Sequence, residues 1–206
     1  MDLNDLFQSV MAGGLPGQLG QIAGVDDSQQ AESAASTIFS TLMGAIQKNS
    51  STPEGAEALN AALERDHDGS ILDNLSGLLS GNAQPQNSNS TNGVGILGHL
   101  FGNKQGNVVN AVSQQTGLDA SKIMNMMVIM APIVMGMLGK AKNQTGADAG
   151  GLGNLIGSVM GGQAGSNPIM NILTGVLDKD GDGSFMDDVM GGGIGNLLGG
   201  LFGGKK

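Results

Sequence analysis

Two short acidic windows carry the residue types and spacing best suited to chemistry. The first reads Glu64-Arg65-Asp66-His67-Asp68-Gly69-Ser70-Ile71-Leu72-Asp73-Asn74, and the second Asp178-Lys179-Asp180-Gly181-Asp182-Gly183-Ser184-Phe185-Met186-Asp187-Asp188. Together they hold nine of the chain's 18 Asp and Glu residues, so half the acidic side chains crowd into two turns. Like charges this close repel unless something neutralises them, and a hard cation is the usual answer.

The second window is the sharper of the two. Asp178, Asp180 and Asp182 stand at positions one, three and five, with Gly183 at six, which matches the front half of an EF-hand calcium loop. Alternating aspartates in a tight turn aim several carboxylates at one centre, and glycine permits the sharp backbone reversal. The carbonyl of Ser184 can add a ligand, and Asp187 and Asp188 supply the last acids. Calcium accepts such an irregular set of oxygens, magnesium demands a stricter octahedron, and zinc would want nitrogen or sulfur.

The first window aligns with it. Asp66, Asp68, Gly69, Ser70 and Asp73 recur 114 residues later as Asp180, Asp182, Gly183, Ser184 and Asp187. Both depart from the EF-hand at position twelve, where Leu75 and Val189 replace the bidentate glutamate. The first copy also begins with Glu64 and carries Arg65, so calcium is expected at 178–188 and more weakly at 64–74. The plainer alternative is a pair of acidic turns whose Asp residues cap helices. His67 is read as a solvated loop residue.

The elements that must position these windows are helices. Leu3, Leu6, Phe7 and Val10 recur at helical spacing. Asp26 is a candidate cap, with Gln29 in the capping-box position, for a helix whose apolar face is Ala31, Ala35, Ile38, Phe39, Leu42, Met43 and Ile46. Thr52-Pro53-Glu54 starts another helix, which runs into the first window, and Asn167-Pro168 starts its counterpart before the second. A Met-rich helix follows Asp119, with Pro132 expected to kink or split it. No strand pattern stands out. The expected fold is therefore all-α, with two diverged helical repeats, each ending in an EF-hand-like helix–loop–helix. The repeats are placed at 1–81 and 93–190, joined by the polar linker 82–92 and followed by a Gly-rich apolar tail at 191–206.

Composition excludes several functions. The chain has 206 residues, a net charge of −9 and no Cys, Trp or Tyr, so it lacks disulfides, thiol chemistry and the basic surface a nucleic-acid binder needs. No nucleophile–base order or phosphate-cradling motif appears, so no enzymatic activity is expected. No basic segment precedes an apolar stretch at the N-terminus, which predicts a cytoplasmic location, with export by a route lacking a signal peptide left open. Residues 123–139 are apolar but span only about 26 Å as helix, which favours a core helix over a membrane span.

The segments LGHLFGNKQGNVVNAVSQQTGL, IMAPIVMGMLGKAK and ERDHDGSILDNLSGLLSG resemble the bacterial domain-of-unknown-function family nine-three-seven. The resemblance extends over about residues 3–189 and implies a small bacterial helical protein, with no activity attached.

Glycines recur every four residues at Gly98-Gly102-Gly106, Gly153-Gly157-Gly161 and Gly191-Gly195-Gly199-Gly203. On a helix this spacing makes one small-residue face, suited to close association. The expected function is that of a calcium-binding helical protein that self-associates, as a homo-oligomer or larger assembly, through Gly- and Met-rich faces. The alternative is membrane association through residues 123–139 and the glycine-spaced segments.

Overall fold

The computed structural model describes residues 3–80 and 88–161, and all regular elements among them are helical. In chain order these are α1 (Leu3–Ala12), α2 (Leu15–Ala23), α3 (Ser28–Asn49), α4 (Pro53–Arg65), a 3-10 turn (Ser70–Asn74) and α5 (Leu75–Leu79). After the undescribed residues come a 3-10 turn (Ser88–Thr91), α6 (Gly93–Phe101), a 3-10 turn (Gly102–Lys104), α7 (Gln105–Thr116), α8 (Ala120–Thr145) and α9 (Ala149–Gly161). The second acidic window, the helix expected before it and the Gly-rich tail lie outside the described residues.

The starts of α3, α4 and α6 follow capping chemistry. Thr52 accepts from the Gly55 N–H at 3.2 Å, with Pro53 in the first turn of α4, as expected. The cap of α3 is Asp27 rather than Asp26: its Oδ1 accepts from the N–H groups of Gln29 at 2.9 Å and Gln30 at 3.1 Å. Adjacent aspartates are equivalent in a sequence pattern, and only the backbone direction at the helix entry selects one. Part of the expected linker is ordered too, because Ser88–Thr91 form the 3-10 turn and Asn92 caps α6 through the Gly95 N–H.

Helix α8 is the axis of the fold. Residues 130–139 are all buried, and α1, α2, α3, α4, α6, α7 and α9 all pack on it. A helix apolar on every side must be surrounded to be stable in water. Pro132 does not split it: α8 runs unbroken through that position. The backbone hydrogen bond lost to proline is offset by packing on all sides. The expected Met face, with Met126, Met127, Met130 and Met137, is spent on this internal core. The expected α3 face is likewise wholly buried, and Phe7 of α1 stacks on Phe39 with ring centroids 3.9 Å apart. The described helices from both sides of the linker thus share a single core.

Close approach to α8 occurs at glycines that the four-residue spacing does not single out. A Cβ at Gly93 would collide with the Val128 carbonyl oxygen, and a Cβ at Gly139 with the His67 carbonyl oxygen. The spaced set Gly98, Gly102 and Gly106 instead faces open space and is divided among two helices and the turn between them, since α6 ends at Phe101. Gly139→Ala should therefore destabilise the protein by about 1–3 kcal/mol through overpacking. Gly98→Ala, in an open helical position, should stabilise it by up to about 1 kcal/mol. Urea unfolding of the two variants beside the parent checks both signs.

Candidate functional site

The first acidic window is a turn docked on α8. Helix α4 ends at Arg65, residues 66–69 reverse the chain, and the 3-10 turn from Ser70 leads into α5. Gly69 has φ +99°, a left-handed conformation that side chains resist, and a Cβ there would also lie 2.7 Å from the Lys140 Cβ. The Asp68 Oδ1 accepts from the Ser70 N–H at 2.9 Å, closing an Asx-turn around this glycine. Asn143 donates to the Asp68 carbonyl oxygen at 3.0 Å, tying the turn to the end of α8.

The acids of this window are met one by one. Lys142 donates to Glu64 at 2.9 Å, Lys140 pairs with Asp73 at 3.2 Å, and the Arg65 Nε donates to Asp66 at 2.8 Å. The self-repulsion seen in the sequence is thus relieved by three basic side chains, two of them from a helix some 70 residues further along the chain. The structure does not bring Glu64, Asp66, Asp68, Ser70 and Asp73 to a common centre. Among the described residues no group of three His, Asp or Glu side chains is placed to hold a metal ion. Asp178, Asp180, Asp182, Ser184, Asp187 and Asp188 lie outside the described residues.

Hydrogen bonding sets the local titration. The Lys142 ammonium, followed by the Asn60 amide, holds the Glu64 carboxyl below its ordinary value. The Ser70 hydroxyl and backbone N–H do the same for Asp68. His67 moves down because burial disfavours its charged form. It is not a solvated loop residue: it is only 5% exposed, and its Nδ1 is buried with no hydrogen-bond partner among the described residues. Nothing local in Asp66-His67-Asp68 announces that burial, which arises because the turn lies against Gly139.

His67 lines a cleft of about 530 Å³ between α4, α6 and α8, and so does His99, the chain's other histidine. Leu59, Ala62, Ile96 and Met135 give the cleft apolar walls. A second recess of about 310 Å³ adjoins it, sharing Asn49, His99 and Leu100 and adding Lys48 and Lys104. These residues come from distant segments and share no common motif in the sequence.

The fold and its docked turn define, over the described residues, an all-helical protein organised around two helices with fully buried middles, α3 and α8. The chain belongs to the family described as bacterial protein of unknown function (DUF937), which it matches over residues 5–141. The match takes in the first acidic turn and most of α8, and stops before the second acidic window. No curated protein and no solved structure matches the chain.

Stability should fall in two stages on acidification. The unfolded His67 binds a proton from about pH 6.5 downward, whereas the folded, buried ring resists it, so stability declines as pH drops from that value. Glu64 and Asp68 have folded values depressed below 4.5 and 3.8, so their contribution is present above those values and is lost as pH falls through the depressed ones. His67→Gln should flatten the first stage and leave the second. Urea midpoints measured between pH 7.5 and 3 would reveal a His67-independent slope if this assignment is wrong.

Proposed function

We propose that the chain is a non-catalytic helical interaction protein that takes calcium at its second acidic window, Asp178 to Asp188. The observation that carries the reading is the conformation of the aligned first turn. Glycine at loop position six is left-handed there, and the preceding aspartate folds back in an Asx-turn between two helical segments. That is the backbone reversal an EF-hand-like loop requires. The two copies differ in what neutralises them: the first has Lys140, Lys142 and Arg65, while Lys179 is the single base within the second. A divalent cation would serve at 178–188 the role that basic side chains serve at 64–74.

Self-association belongs to the same proposal, with a changed surface. The Met face is buried in the chain's own core, which leaves the glycine spacing of α9, where Gly153 and Gly157 face open space, and that of the tail. The membrane alternative gains no support from α8. That helix is long and apolar enough to cross a bilayer, but it is mostly buried by its neighbours and would have to leave the core to meet lipid.

Calorimetric titration of the intact chain should give saturable calcium binding with one site per chain. Asp180→Ala combined with Asp182→Ala should abolish it, and Asp66→Ala should leave it in place. Sedimentation velocity with and without calcium should show a change in assembly. Absence of heat up to several millimolar calcium, or a monomer under both conditions, would reject the corresponding half of the proposal.

A further inference from the structure

The groove formed by the two adjoining recesses collects positive charge in a chain that has little. Six Lys and Arg residues fall within the described residues, and three of them, Lys48, Arg65 and Lys104, line this groove. The other three lie outside the groove: Lys122 donates to the Gly24 carbonyl oxygen at 2.6 Å, and Lys140 and Lys142 clamp the acidic turn. Both histidines line the groove as well. Asp66 is the single carboxylate among the described lining residues, and Arg65 already pairs with it. A net charge of −9 overall therefore coexists with a groove whose lining is cationic.

The chemistry is also divided along its length. Lys48, Lys104 and the exposed His99 surround the smaller recess. Leu59, Ala62, Ile96 and Met135 line the larger one, where the buried His67 Nδ1 has no hydrogen-bond partner among the described residues. A volume of about 530 Å³ lies within the ordinary range for small-molecule sites, which combine apolar walls with a few placed polar groups. A bare phosphate would use the cationic recess alone and leave the apolar walls in water. A neutral apolar ligand would make no use of the lysines.

We propose that this groove binds a small amphiphilic anion, with its carboxylate, sulfonate or phosphate beside Lys48, Lys104 and His99 and its apolar body over Leu59, Ala62, Ile96 and Met135. The site is separate from the calcium window and does not depend on that reading.

The probe is 8-anilinonaphthalene-1-sulfonate, followed by fluorescence on the intact chain, with decanoate below its micellar concentration as competitor. Saturable one-to-one binding is expected, displaced by decanoate and at least tenfold less well by decanol or inorganic phosphate. Lys104→Glu should weaken the probe about tenfold or more. Ala58→Trp, a substitution at an exposed position on the cleft wall, should block it. Lys122→Glu, with the same charge change away from the groove, should bind as the parent does. Circular dichroism confirms that each variant is folded. Equal binding by all three variants, equal displacement by decanol or phosphate, or binding to phosphatidylglycerol vesicles without displacement by decanoate would each overturn the proposal.

Discussion

A helix with no solvent-facing side imposes its needs on everything around it, and the middle of α8 is such a helix. From Met130 to Gly139 each residue is buried, so neighbours must cover the full circumference. Side chains of ordinary size fill most of that shell. Where backbone itself must come close, at Val128 against Gly93 and at Gly139 against His67, only the missing Cβ makes room. The docking of α6 and of the first acidic turn on α8 is therefore steric as much as apolar. It also explains how an interior proline survives: Pro132 is held in a helix whose packing on every side outweighs the lost backbone hydrogen bond.

The acidic turn owes its position to the same helix. Gly139 lets the His67 carbonyl approach, Gly69 reverses the chain above Lys140, and Gly136 receives Ile71. Once the backbone is seated this closely, Lys140 and Lys142 lie within reach of Asp73 and Glu64. Exposed ion pairs are individually weak, so the glycine contacts set the geometry and the lysines relieve the charge that remains. Burial of His67 follows from the docking and leaves a neutral ring against the cleft.

Basic residues are scarce, and their allocation divides the molecule into two electrostatic regions. Lys140 and Lys142 compensate carboxylates at the turn, while Lys48, Arg65 and Lys104 gather along the groove, where Asp66 is the lone acid among the described lining residues. Three of the four carboxylates of the first acidic turn thus pair with basic side chains, and the described lining of the groove holds more basic than acidic groups. These regions adjoin at Arg65, Asp66 and His67, which belong to both.

Helical periodicity alone determined the all-α class, the buried face of α3 and the start of α4, because capping and amphipathic spacing act within a turn or two of chain. The turn at Gly69 was legible for the same reason: alternating aspartates before glycine describe a local backbone reversal. Tertiary structure decided the rest. It chose Asp27 over Asp26, ran α8 through Pro132, merged the described helices of both halves in one core and left Gly98, Gly102 and Gly106 in the open. It also supplied the partners of Glu64 and Asp73 from far along the chain and brought Lys48, His67, His99 and Lys104 around one groove. Such pairings depend on which segments meet across the core, and local spacing contains no information about where distant residues will lie.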